Sequence, residues 1–358
     1  MSYNTNIRYR MEKRRRNGKE EHKLENEKSS KIILKKGVYG MARNQNPKLK
    51  DVEKKWENFS KGYTHKKNSF KGEPWVPDMI YSHIQGFGIV TDTNGKEYGI
   101  VSHNNKGYSK GFMMYLNCGK DGKAIKQDVP VEHYNHPGGL QIVGDYVFVA
   151  VENSDNNKSY IRLCDLSKLF INEAPVWIEK EEFIIDMPSH GAAAVAATRY
   201  RSKAGEKMLI VPCTPSKLFV YQTNAGDKLP VAESESELLF TQMIEEISTE
   251  AAGSIQNISL VTQENEEDED TVYMFAYISK KKGTSFSDSM ELWRFYPDNK
   301  KFIKIGESLH IKSSGGGMAG IHFRYGAGLS IKNDDFLFYA TQRNFVGGKM
   351  GYDTYIKK

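Results

Sequence analysis

The sequence has only three cysteines in 358 residues, Cys118, Cys164 and Cys213. They are far apart, odd in number and form no CxxC spacing, which excludes a disulfide framework and a cysteine zinc site and predicts buried structural thiols. No apolar run approaches the ~20 residues that cross a bilayer, so no transmembrane segment is expected. The basic start lacks the apolar stretch of a secretory signal, and the chain reads as soluble and cytoplasmic. Several chemical signatures are missing as well. There is no GxSxG nucleophile elbow. Gly315-Gly316-Gly317 has no following Lys-Ser/Thr and reads as a turn rather than a phosphate loop. The loop at Asp155-Asn156-Asn157 is too short for a calcium loop.

Charge is unevenly divided. Residues 1–72 hold 21 of the 51 Lys and Arg and 8 of the 45 Asp and Glu. A basic extension therefore precedes a mildly acidic domain. Residues 1–31 have almost no large aliphatics and include Lys13-Arg14-Arg15-Arg16. They are predicted to be a disordered basic tail, because such a segment cannot bury enough surface to offset its ordering entropy. Nucleic acid is expected as a partner only through this tail, whose plainer reading is a solvated segment. Residues 32–73 are predicted to hold an amphipathic helix near 47–60, with Asn46 as N-cap and Pro47 at the first helical position. Leu49, Val52, Trp56 and Phe59 would form its packing face. Gly62 to Gly72 then reads as a linker.

From residue 74 the pattern changes to short β-type runs separated by polar turns. With 20 Tyr and 17 Phe, the chain is rich in residues that suit strands. The runs recur in groups of up to four, entered by Ser82-His83, Asn135-His136 and Ser189-His190. Two further groups begin near Ser254 and Gly320. Four strands at such a period are what a propeller blade requires. The expected fold is all-β, a β-propeller of five four-stranded blades over 74–358. The closing blade would be shared between C-terminal strands and the stretch Trp75-Val76-Pro77-Asp78-Met79, so that residues 75–80 remove two exposed edges.

Entries such as His136-Pro137-Gly138-Gly139-Leu140-Gln141 and Ser254-Ile255-Gln256-Asn257 resemble the inner-strand entries of uncharacterised bacterial β-propellers. The WD dipeptide and the kelch double glycine are absent, so those families are not supported. The resemblance implies that the first strand of each group lines a central channel and that residues entering those strands converge at one end. Candidate ligand-binding residues at that channel mouth are His83, Gln85, His136, Gln141, His190, Gln256, His322 and Arg324. His83, His136, His190 and His322 form the candidate set for a divalent metal cofactor such as Fe, Mn or Zn, with neutral imidazole nitrogens as ligands. The alternative is structural, with each imidazole hydrogen-bonding a neighbouring blade. Two functions follow. One is a propeller binding a small molecule or a protein at the channel mouth. The other is a metal-assisted lyase, hydrolase or oxygenase using the axial His/Gln cluster.

Overall fold

In the computed structural model the described residues are 48–72, 82–105, 109–118, 124–153, 158–179, 184–187, 191–224, 243–248, 255–266, 269–315 and 320–358. Contacts divide the chain into residues 1–41 and 42–358, and all described residues belong to the second unit.

Antiparallel meanders dominate that unit. The first runs through β3 (Ile84–Thr91), β4 (Glu97–His103), β5 (Phe112–Leu116) and β6 (Ile125–Asp128). The second comprises β7 (His136–Val143), β8 (Tyr146–Asn153) and β9 (Lys158–Asp165), with the short strands β10 (Val176–Trp177) and β11 (Ile185–Met187) both on β9. The third is β12 (Ala194–Ser202), β13 (Gly205–Cys213), β14 (Lys217–Gln222) and β15 (Met243–Ser248). A single parallel pairing, Ala194 with Gly139, joins it to the second. The fourth is β16 (Ile255–Gln263), β17 (Thr271–Lys282), β18 (Ser285–Tyr296) and β19 (Lys301–Ile311), with β1 (Lys48–Leu49) parallel to the end of β16. The fifth is β20 (Ile321–Lys332), β21 (Asp335–Gln342) and β22 (Lys349–Lys357), completed by β2 (Tyr63–Lys71).

Local chemistry sets the hairpins. Asp92 Oδ1 accepts from the backbone N–H of Asn94 and Lys96 at 2.8 and 2.9 Å, closing the β3–β4 turn. Asn333 and Asp334, with φ of 52° and 57°, give β20–β21 the two left-handed residues that match the twist of a tight hairpin.

Five apolar clusters lie between sequence-adjacent meanders, and the last links the fifth to the first: Phe70, Tyr339 and Tyr352 pack with Ile84, Phe87 and Met114. The first strands neighbour one another in the same order, β3 beside β7, β7 beside β12, β12 beside β16, β16 beside β20, and β20 beside β3. The fold is all-β and propeller-like. Cys118, Cys164 and Cys213 are buried and unpaired, and burial pushes their thiols up to about 11, 12 and 12. Among the described residues no helix is long and apolar enough to cross a membrane.

Two expectations need correction. The helix, α1, spans Val52–Lys61 rather than starting at residue 47, and its N-cap is Asp51 in a left-handed conformation. Leu49 is buried as expected, but in β1. The Val52 N–H, left over by the first turn, donates to Gln263 Oε1 at 2.8 Å. Trp56 and Phe59 pack on Phe275 and Phe338, so the apolar stripe docks across the fourth and fifth meanders. The second correction concerns the run from Gly62 to Gly72. Instead of a linker, its residues 63–71 pair antiparallel with β22 through nine positions, from Tyr63–Lys357 to Lys71–Lys349. Trp75–Met79, expected to supply this outer strand, lies outside the described residues, as does the tail 1–31.

Candidate functional site

Side-chain amides tie the first strands together along their junction. Gln141 clamps it: Nε2 donates to Leu260 O at 2.8 Å, while Oε1 accepts from Leu260 N at 2.8 Å and Ala197 N at 3.3 Å. One side chain on β7 thus ties β12 and β16. Asn257 Nδ2 reaches the carbonyls of Gln85 and Phe323 at 3.2 and 3.4 Å. The backbones approach so closely that a Cβ on Gly139 would overlap the Asn257 amide oxygen and the Ala194 Cβ.

The chemistry-bearing residues gather at one end, where the first strands begin, and irregular pairing aims them. Register shifts occur between Ile84 and Gly86 in β3, Pro137 and Leu140 in β7, Ile255 and Asn257 in β16, and His322 and Ala327 in β20. Gln85, Gln256, Arg324 and Tyr325 therefore lie at irregularities of the strand pairing.

Gln85 joins two of the expected histidines. Its Nε2 lies 2.8 Å from His83 Nε2 and 2.7 Å from His136 Nε2. An amide NH2 only donates, so both ring nitrogens act as acceptors, and the His136 ring carries its proton on Nδ1. For His136 that proton meets Glu152 Oε2 at 2.9 Å. Glu152 is the cross-strand partner of His136 in the β7–β8 hairpin. His83 is pinned by its backbone, which accepts from Asn104 N at 3.1 Å. Burial above all, with the basic groups His136, Arg343, His103 and Arg324 nearby, holds its imidazole down to about 3.

A second imidazole–carboxylate pair lies on the fourth and fifth meanders. His322 Nδ1 is 2.7 Å from Asp288 Oδ2, and both residues are buried. Tyr325 packs edge-on to His83, His322 and Phe286, with ring centroids 5.9–6.1 Å apart, and so links the two pairs. Arg324 is exposed, its guanidinium 5.2 Å above Phe286.

Of the expected residues, the structure brings His83, Gln85 and His136 into direct contact, with His322 and Arg324 alongside. Gln141 stands deeper, in the axial clamp. Gln256 is half-buried at the start of β16. His190 lies outside the described residues. Sequence reasoning missed Glu152, Asp288, Tyr325 and Arg343, and also His103, a buried imidazole stacked on Phe112 and held down to about 4, chiefly by burial. Among the described residues no group of three or more His, Cys, Asp or Glu side chains is placed to hold a metal ion between them.

A pH effect follows from His83. Its folded value of about 3 lies below the ordinary 6.5, so the unfolded chain takes up a proton that the folded chain refuses. Stability is expected to fall as pH drops from about 6.5 toward 3, by up to ~2 kcal/mol at pH 5. Urea midpoints at pH 7 and pH 5 check this: His83→Gln should show the smaller acid loss, and equal losses in both proteins would refute the assignment.

No family model matches the sequence, and no curated protein matches it. Among solved structures, the chain is similar to a thermostable family-43 glycoside hydrolase at 11% identity, with a TM-score of 0.37, over 78% of this chain and 90% of that one. A likeness this weak carries no argument for fold or activity.

Proposed function

We propose that residues 48–358 form a closed five-bladed propeller, with β2 as the outer strand of the last blade, and that this propeller binds a small oxyanion, a carboxylate or a phosphate, at the axial end built by His83, Gln85, His136, Tyr325 and Arg324. The carrying observation is the setting of His83: Arg343 and Arg324 both act through space on its imidazole, and Arg324 lies over Phe286, whose ring meets Tyr325 beside His83. A neutral imidazole near two guanidinium groups offers an anion hydrogen bonds and favourable potential together. The stack on Phe286 holds Arg324 in place before a ligand arrives. The ring itself is supported by the five shared apolar clusters and the cyclic order of first strands.

Calorimetric titration of the full chain with citrate and with inorganic phosphate tests the binding. At least one is expected to bind, and Arg324→Ala should weaken it tenfold or more. Absence of binding to both, or full affinity in Arg324→Ala, would refute it.

The pairs His136–Glu152 and His322–Asp288 favour a second reading, an enzyme in which these imidazoles move protons or hold a first-row metal. A carboxylate on Nδ1 orients an imidazole and raises its basicity at the other nitrogen. For His83 and His136 that nitrogen is already engaged by Gln85, so a metal would have to displace the amide. Stoichiometric Zn2+ or Mn2+ lost in His136→Ala would decide for this reading.

A further inference from the structure

The apolar core between the fourth and fifth meanders ends in a polar layer that the oxyanion site does not use. Alternation places it. In β17 Tyr277 faces this core, so Ser279 does too, and in β18 Met290 and Leu292 put Asp288 on the same side. Tyr355 of β22 belongs to the core, which brings Asp353, two residues earlier, to this face.

The layer is continuous. Asp288 Oδ2 accepts from Ser313 Oγ at 2.8 Å, and Ser313 Oγ is 3.5 Å from the Tyr355 hydroxyl. That hydroxyl is 3.5 Å from Asp353 Oδ2, which also accepts from Ser314 N at 2.7 Å. Asp288 and Asp353 are buried, at 4% and 0% exposure. Yet Asp288 Oδ1 and Asp353 Oδ1 have no hydrogen-bond partner among the described residues. Neither does the hydroxyl of Ser279, which is 2% exposed and stands opposite Asp288 in the β17–β18 register.

Charge makes the same point. Two buried carboxylates lie in this layer with one imidazole, His322, which pairs with Asp288, and among the described residues no lysine or arginine forms an ion pair with either. Even with His322 protonated, one negative charge stays uncompensated, which is costly where water is excluded. A cavity of about 270 Å³, lined by Asp288, Ser313, His322 and Gly315, adjoins the layer and gives a small ion a way in.

We propose that Asp288 and Asp353 bind a hard divalent cation, Ca2+ or Mg2+, through the carboxylate oxygens Oδ1, with the Ser279 hydroxyl and water completing the shell. All the open donors are oxygens, which select hard ions over softer first-row metals. Ions of this kind are commonly held by one or two carboxylates with retained water. The site would brace the junction of two meanders, independently of oxyanion binding at His83.

Full-length protein freed of metal with a chelator, then melted with and without Ca2+ or Mg2+, tests the assignment. The midpoint is expected to rise on the order of 5 °C at a cation concentration a hundred times the dissociation constant. Calorimetry should give one site. Asp353→Asn is expected to lose the response while binding citrate or phosphate as the wild type does, and to melt no lower than metal-free wild type, since the excess charge is gone. No response to either ion in the wild type, or an undiminished response in Asp353→Asn, would overturn the proposal.

Discussion

Deleting residues 1–72 is expected to abolish cooperative unfolding, whereas a chain beginning at Lys48 should keep it. The deletion removes β1, α1 and β2, and with them Leu49, Val52, Trp56, Phe59 and Phe70, all buried. At roughly 2 kcal/mol per side chain, the loss comes to about 10 kcal/mol, comparable with the whole stability of an ordinary domain. It also strips the nine paired positions of β2 from β22 and uncovers a long strand edge. Circular dichroism melts of the two truncations measure this. A sharp transition in the chain starting at residue 73 would mean that α1 and β2 are appendages.

Substituting Gly139 by valine should cost about 3 kcal/mol or leave the protein unfolded. The site has no slack, because the atoms a Cβ would strike are the Asn257 amide and the Ala194 Cβ on two other first strands. Gly62→Ala is the control: its φ of 177° is ordinary extended backbone and the nearest atom to its Cβ is Lys358 Cδ at 3.5 Å. Urea titrations should separate the two by more than 2 kcal/mol. A Gly139→Val protein as stable as the control would show that the axis is loosely packed.

The strand grouping was legible because hydrophobic alternation and turn chemistry act locally: the group expected to open at Ser82-His83 does begin with a strand, Ile84–Thr91. The outer strand β2 was not. Its sequence Tyr-Thr-His-Lys-Lys-Asn-Ser-Phe-Lys buries only Phe70. A lysine-rich edge strand carries almost no apolar pattern, which is how such edges avoid pairing with other chains. The helix start was misplaced because Pro47 and Asn46 are good initiators, while Asp51 caps from a left-handed conformation that sequence does not signal.

At the site, the recurring Ser/Asn-His entries identified His83 and His136, and Gln85 followed from its place in the same strand. The carboxylates were hidden, since Glu152 and Asp288 come from β8 and β18 rather than from first strands. Folding the hairpin about the Gly144-Asp145 turn alone would set Asn153 opposite His136; the bulge between Pro137 and Leu140 shifts the register by one and brings Glu152 there. Asp288 meets His322 only through tertiary packing, and no local pattern records that contact. The opposite error befell Gln141, whose residue type suggested a ligand when its amide is spent bridging three first strands.

An oxyanion is expected at the axial end, between Arg324 and the Gln85-bridged imidazoles. A crystal structure of the full chain grown with citrate tests it most directly. A citrate carboxylate is expected within hydrogen-bond distance of Arg324 and of His83 or Gln85, with Gln141 still clamping β12 and β16. Citrate bound elsewhere with this end of the axis vacant, or an axial end closed off by neighbouring side chains, would contradict it.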